Sequence, residues 1–247
     1  GRPGPKGEPD VMRRPPRQIY LFTRHSQSSL TPTCPEGTAT MWEGYSLLHV
    51  TSSANAQGQD LGSPGSCLRR FSYMPYVFCN LNNVCNYAQR NSYSYWLSTA
   101  EPLPAMMQPI EGTDVQNYIS RCTVCESRTK PVAIHSQETY IPDCPNGWYS
   151  LWTGYSFLMN TDAGGEGVGQ SLSSPGSCLE NFRSHPYIEC QAHGRCDGFP
   201  TGLSFWLAIV DQMNWSRPRS GKFKAVEITS KIGRCNVCSR IPLFYTV

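Results

Sequence analysis

Charge is scarce in this chain of 247 residues, in which Asp, Glu, Lys and Arg together make up 16% against the ~25% usual for a soluble domain. The formal net charge is +3, and no Lys/Arg run exceeds Arg13-Arg14 or Arg69-Arg70. The electrostatic footprint of a nucleic-acid binder is missing, and nucleic acid is excluded as a partner. Long apolar runs are missing too. The longest, Phe205 to Val210 with its neighbours, falls far short of the ~18 residues of a membrane-spanning helix, so no membrane insertion is expected. No leader opens the chain, which reads as a mature fragment or a domain cut from something longer. No stretch sustains an apolar stripe at helical spacing, which leaves helix confined to short turns. The motifs His-Glu-x-x-His, Gly-x-Ser-x-Gly and the Walker loop do not occur, and Gly62-Ser63-Pro64-Gly65 carries turn chemistry. No catalytic residue is expected, and the chain is not expected to be an enzyme.

What is abundant is cysteine, and it is laid out twice. Cys34, Cys67, Cys79, Cys85, Cys122 and Cys125 are spaced by 33, 12, 6, 37 and 3, and Cys144, Cys178, Cys190, Cys196, Cys235 and Cys238 by 34, 12, 6, 39 and 3. The flanks repeat as well: CPEGTATMWEGYSLLH with CPNGWYSLWTGYSFLM, GSPGSCLRRF with SSPGSCLENF, ISRCTVC with IGRCNVC. Two homologous units stand in tandem, each of roughly 110 residues and able to bury its own core. Twelve cysteines in an even, symmetric set point to an oxidising compartment, hence to an extracellular protein with a disulfide framework. Spacing alone leaves the connectivity open. The pairs six apart, Cys79/Cys85 and Cys190/Cys196, suit the closing of a hairpin, and the terminal Cys-x-x-Cys pairs suit the stapling of a last strand onto Cys34/Cys67 and Cys144/Cys178. Zinc held by the two Cys-x-x-Cys pairs would leave eight other cysteines without a role, and no metal is expected. A thioredoxin-like redox pair would open a helix, whereas each motif here ends its unit. His25 and His135 recur at one repeat position, which marks a structural duty inherited twice.

Tyr45–Val50, Tyr93–Ser98 and Leu203–Ala208 carry aromatic or apolar residues in partial alternation, bounded by Gly, Pro, Asn and Ser, and read as strands. The expected fold is all-β, made of two tandem, homologous, disulfide-rich antiparallel subdomains. At the start, Gly1-Arg2-Pro3, Gly4-Pro5-Lys6 and Gly7-Glu8-Pro9 are consecutive Gly-X-Y triplets before the period breaks at Asp10. Only glycine fits the axis of three polyproline-II chains, so the triplets read as the end of a triple helix. The expected organisation is a tail and basic, proline-rich hinge over residues 1–20, a first unit over 21–129 and a second over 130–247.

Several segments then carry a resemblance: Thr23-Arg24-His25-Ser26-Gln27, Gly58-Gln59-Asp60-Leu61-Gly62, Cys79-Asn80-Leu81-Asn82-Asn83-Val84-Cys85, Ser94-Tyr95-Trp96-Leu97-Ser98-Thr99, Ser120-Arg121-Cys122-Thr123-Val124-Cys125 and their second-unit partners. From Arg24 to Arg240 the chain resembles the C-terminal non-collagenous domain of type IV collagen, the network collagen of basement membranes. The resemblance implies pairing of Cys34 with Cys125, Cys67 with Cys122, Cys79 with Cys85, Cys144 with Cys238, Cys178 with Cys235 and Cys190 with Cys196. It also implies hairpin exchange between chains, a trimer, and two trimers meeting as a hexamer. The implied role is a secreted structural domain that selects and trimerises collagen IV chains, nucleates the triple helix and joins trimers into a network. A second reading, a soluble ligand for integrin-type cell-surface receptors, stays open; a lectin would need clustered Asp/Asn calcium ligands that the sequence does not offer.

Finer expectations follow from the same resemblance. Chloride is the structural ion, held largely by backbone N–H groups of Ala88-Gln89-Arg90-Asn91-Ser92. Arg90 reaches across to the opposing trimer, and Glu189 matches an interface acid. A sulfilimine bond between Met107 and a hydroxylated Lys224, formed through hypohalous acid from a peroxidasin, locks the hexamer; a thioether oxidised to a halosulfonium is open to attack by an amine. The chain departs from the family's usual Asp at Ser92, Arg at His193 and Asn at Thr201, with Arg195 placed to supply the charge missing at His193. Asn214-Trp215-Ser216 is a glycosylation sequon.

Overall fold

A computed structural model describes residues 18–242 apart from 53–54, 90, 106–107, 199–201 and 212–214. The Gly-X-Y triplets and hinge residues up to Arg17 lie outside the described residues. In the first unit the strands are β1 (Tyr20–His25), β2 (Ala39–Ser52), β3 (Asn55–Gly58), β4 (Cys67–Leu68), β5 (Val77–Cys79), β6 (Cys85–Tyr87), β7 (Ser92–Leu97), β8 (Ile110–Glu111) and β9 (Arg121–Ser127). The second unit repeats all of these but β8, as β10 (Val132–His135), β11 (Trp148–Thr161), β12 (Gly167–Gly169), β13 (Cys178–Leu179), β14 (Tyr187–Gln191), β15 (Arg195–Asp197), β16 (Leu203–Trp206) and β17 (Arg234–Arg240). Helix amounts to short turns, such as the 3-10 segment Gly112–Asn117 and the single turn Ala225–Ile228. Every strand pairing among the described residues is antiparallel.

Each unit is built on a long strand, β2 or β11, flanked by the terminal strand β9 or β17. Two disulfides staple that terminal strand: Cys34–Cys125 and Cys67–Cys122 in the first unit, Cys144–Cys238 and Cys178–Cys235 in the second. The third closes a hairpin, Cys79–Cys85 between β5 and β6 and Cys190–Cys196 between β14 and β15. Gly44 and Gly154 repeat because the chain crosses itself there. A Cβ at either would lie 2.1 Å from the carbonyl oxygen of Leu68 or Leu179, which only glycine avoids.

The duty shared by His25 and His135 is visible as a pair of identical braces. His25 Nδ1 meets Ser46 Oγ at 2.6 Å and its Nε2 meets the Leu61 carbonyl at 2.7 Å, while His135 meets Ser156 Oγ at 2.6 Å and the Leu172 carbonyl at 2.8 Å. Each imidazole ties the first strand of its unit to the long strand and to the turn before the second cysteine.

The two units share their cores. Phe22 and Cys125 of the first pack with Ala133, Leu151, Trp152 and Val237 of the second, and Leu48, Leu61, Tyr95 and Leu97 pack with Phe157, Leu179 and Tyr187. Leu47 faces the opposite way, into a cluster with Trp96, Ile110, Val115 and Ile119. Both faces of β2 are thus covered, which is why Leu47 and Leu48 are adjacent rather than alternating with polar residues. Polar groups fix the seam: Arg24 grips Glu180 with two N–H groups at 2.8 and 3.1 Å, and Gln27 exchanges two hydrogen bonds with the Asn181 backbone at 2.8 and 2.9 Å.

Candidate functional site

The hairpin β14–β15 leaves its own unit and docks on the first. β14 pairs with the outer edge of β7, placing Tyr187, Ile188, Glu189, Cys190 and Gln191 opposite Leu97, Trp96, Tyr95, Ser94 and Tyr93, and β8 closes on β15 from the far side. The joined strands form one nine-stranded sheet, whereas β5 and β6, the equivalent hairpin of the first unit, form a two-stranded sheet of their own. Ile188, Cys190 and Cys196 are buried with Trp96 and Ile110. Their first-unit counterparts Val77, Cys79 and Cys85 are exposed, as are Val84 and Tyr87 beside them, and Leu81 at the tip is fully so.

The second unit shows the complementary feature. β16, the counterpart of β7, pairs with β11 on one side and with no other strand among the described residues. Its Leu203 and Phe205 are exposed. Counting back from Cys122 and Cys235, Phe223 and Val226 stand where the first unit has Ile110 and Thr113. Ile110, covered by the docked hairpin, is 5% exposed, whereas Phe223 is 54% exposed and Val226 93%. An apolar hairpin without an edge and an apolar edge without a hairpin therefore coexist in one chain, and bare edges of this kind are templates for strand addition.

At the docked seam the chemistry is polar and buried. Tyr95 donates to Glu189 Oε2 at 2.7 Å and lies 3.3 Å from Asp162 Oδ2. Glu189 is 3% exposed, and burial pushes its carboxyl up to about 7, with the charges of Asp162 and Asp197 adding to the rise and the Tyr95 hydrogen bond opposing it. The Tyr95 hydroxyl is raised in turn, by burial and by the Glu189 charge. His49 stacks on the Tyr95 ring at 4.1 Å, and burial lowers it to about 3. Glu189, Asp162, Glu166, Tyr93, Tyr95 and Asn91 line an acidic cleft of about 380 Å³. Replacing Tyr95 by phenylalanine is expected to lower stability by about 1–3 kcal/mol, because Glu189 keeps its burial and loses its donor. The urea midpoint at neutral pH checks it.

The other expected site residues are scattered around this seam. Ala88, with a positive φ of 55°, and Gln89 lead into a turn closed by Ser92 N–H donating to the Gln89 carbonyl at 3.0 Å. The Ser92 side chain is buried and its hydroxyl has no hydrogen-bond partner. Asn91 opens onto the acidic cleft. His193 lies exposed in the turn of the docked hairpin, and Arg195 donates to Gln191 Oε1 at 3.2 Å across it. Lys224 is exposed at the start of the single helical turn. Arg90, Met107, Thr201 and Asn214 lie outside the described residues. Glu189 stands buried inside one chain, with the loop around Asn91 at the mouth of its cleft. Sequence reasoning missed Tyr95, Asp162 and His49 as its companions; the available signal was divergence between the copies, since Glu189 and Tyr95 correspond to Phe78 and Phe205.

Among the described residues no group of three or more metal-ligating side chains is found, and no helix is long and apolar enough to cross a membrane. Two stapled β units with strand edges on offer define a disulfide-braced structural module. The chain matches the C-terminal tandem repeated domain in type 4 procollagen over residues 20–127 and 130–240, and it belongs to that family. It is 56% identical over 222 residues to the human collagen alpha-5(IV) chain, covering 90% of this chain, and 50% identical over 222 residues to the collagen alpha-1(IV) chain of Drosophila melanogaster, covering 89%. It spans 13% and 12% of those two relatives. The family is structural, and its place is the extracellular matrix of basement membranes.

Proposed function

We propose that the chain is an assembly domain that selects and trimerises collagen IV chains, nucleates their triple helix and joins two trimers into a chloride-stabilised hexamer. The observation that carries this reading is the inequality of two equivalent hairpins: β14–β15 is sheathed within the chain, while β5–β6 and the β16 edge are both bare. When β5–β6 of one chain docks on β16 of the next, each chain gives one hairpin and receives one. Such a head-to-tail contact is heterologous and closes into a ring when its rotation permits. Three is the count a collagen helix requires, and a ring of three holds the Gly-X-Y tails at high effective concentration for zippering.

Two trimers then meet through the faces that carry the acidic clefts. Arg90 of one trimer enters the cleft that holds Glu189 in the other, and chloride sits in the backbone N–H groups of residues 88–92. His193 and Arg195 border that face. Met107 and Lys224 are joined by a sulfilimine. Hypohalous acid from a peroxidasin oxidises the thioether to a halosulfonium, the amine displaces halide, and loss of two protons leaves the S=N bond, with halide, water and one proton as by-products.

Light scattering tests the scheme. The expected mass is three times 27.6 kDa in chloride-free buffer and six times in chloride, with a dimer surviving a denaturing gel once hypohalous acid has acted. A monomer in every buffer overturns the assembly reading. A trimer indifferent to chloride overturns the chloride step alone.

A further inference from the structure

We propose that two residue pairs, Glu189 with Tyr95 and Phe78 with Phe205, tell each hairpin which strand edge to take. The proposal rests on the trimer reading above and adds its specificity. Both hairpins carry the same disulfide and the same six-residue spacing, so nothing in their framework assigns one to the edge within the chain and the other to a neighbour. The side chains do.

Within the chain, Glu189 lies directly opposite Tyr95 in the ladder and accepts its phenol proton at 2.7 Å. Cys79 and Cys190 align the hairpins and put Phe78 at the position of Glu189; Trp96 and Trp206 align the edges and put Phe205 at the position of Tyr95. The register that seats β14 on β7 therefore sets Phe78 opposite Phe205 between chains. Both members of the polar pair are phenylalanine at the equivalent positions, so each docking is matched: phenol to carboxylate in one, ring to ring in the other.

The wrong dockings are not matched. The second-unit hairpin laid on β16 would bury the Glu189 carboxyl against a phenyl ring without its donor, and a buried polar group stripped of its partner is costly. The first-unit hairpin laid on β7 would leave Tyr95 with Asp162 and Thr51, a milder penalty, so discrimination falls mainly on Glu189. The outer strand adds a second element. Arg195 lies opposite Glu111 in the docked hairpin, and Lys224 holds the place of Glu111 in the second unit. Misdocking would set Arg195 against Lys224, like charge against like, whereas the correct hairpin brings Val84 there. The device is repulsion of the wrong partner as much as attraction of the right one.

Sedimentation velocity on the whole chain at pH 8, with Phe78→Glu, Phe205→Tyr and the double variant, tests the assignment. Phe78→Glu is expected to weaken the trimer by roughly 100- to 1,000-fold, and Phe205→Tyr added to it to recover all but about tenfold, since the double variant rebuilds the Tyr–Glu pair between chains. Phe78 is half-exposed in the single chain, so Phe78→Glu should keep all six disulfides and, at dilutions where both are monomeric, the wild-type urea midpoint. A trimer unaffected by Phe78→Glu, or a double variant no better than the single one, overturns the pairing while leaving the trimer intact; a monomeric wild type overturns the trimer itself. The inner seam supplies an independent arm: adding Glu189→Phe to Tyr95→Phe should restore the urea midpoint lost by Tyr95→Phe, and failure to do so also overturns the pairing.

Discussion

A protein in which Cys178 and Cys235 are both replaced by alanine is expected to be less stable by at least about 4 kcal/mol, the entropy regained by a chain freed from a loop of this length. The two residues are separated by 57 positions. Both are buried in the cluster that Phe22 and Cys125 of the first unit share with Leu151 and Trp152, so the deletion also leaves unfilled volume, which adds to the loss. Against a total stability of ~5–15 kcal/mol this takes a large part of the margin. The hairpin disulfides offer a sharper comparison. Cys79–Cys85 and Cys190–Cys196 close loops of equal separation, and loop entropy alone makes them equal, at about 2 kcal/mol each. Their surroundings differ. Cys190 and Cys196 are fully buried at the seam between the units, whereas Cys79 and Cys85 sit in an exposed two-stranded sheet that can loosen by itself. Removing Cys190 and Cys196 should therefore shift the urea midpoint of the monomer. Removing Cys79 and Cys85 should leave that midpoint nearly unchanged and abolish the trimer. Identical midpoints for the two deletions would contradict the seam as described.

The tandem units were legible because cysteine spacing survives in the sequence as plain numbers, whereas which cysteine meets which was implied only by the resemblance. Strands were legible where aromatic runs were bounded by turn residues, as at Tyr93–Ser98, which overlaps β7. The destination of the hairpins was not, because two equivalent hairpins and two equivalent edges admit docking within or between chains, and only contacts more than ninety residues apart, such as Tyr95 with Glu189, separate the two. β8 was invisible for another reason: Ile110 and Glu111 are strand only because β15 lies beside them, and a two-residue element has no periodicity to read. Glu189 was picked out as an acid at a contact surface. Its burial could not be read, since burial is conferred by Tyr95 and Asp162 from distant segments. Leu47-Leu48 shows the same limit, since adjacent leucines signal a strand covered on both faces only once the second unit is in place.

Acidification is expected to unfold the protein along a curve of two slopes. His49 and His25 are held neutral by burial, lowered from 6.5 to about 3 and about 4, with the hydrogen bond to the Leu61 carbonyl opposing the shift at His25. His49 Nε2 has no hydrogen-bond partner, so its protonation inside the fold gains no acceptor. A base whose folded pKa lies below its unfolded value takes its proton on unfolding, so its contribution is complete above pH 6.5 and is lost as the pH falls toward the folded pKa. The two shifts correspond to losses on the order of 5 and 3 kcal/mol. Glu189 acts the other way. Its carboxyl is raised from 4.5 to about 7, so the folded state takes up the proton first, and stability rises on the order of 3 kcal/mol as the pH falls from 7 to 4.5. The gain offsets about half of the histidine loss between pH 6.5 and 4.5 and ends there, below which both imidazoles lose unopposed until His25 reaches about 4. Stability should thus decline at the slope of one proton from pH 6.5 to 4.5, twice as steeply from 4.5 to about 4, and at the one-proton slope again below that, where His49 alone continues. Glu189→Gln removes the offset and should bring the steep limb up to pH 6.5, whereas His49→Gln should flatten the limb below 4.5. Urea midpoints measured on the disulfide-intact monomer between pH 7.5 and 3.5 give the three curves, and a wild-type profile level below pH 4.5 would show that these imidazoles are not held neutral by burial.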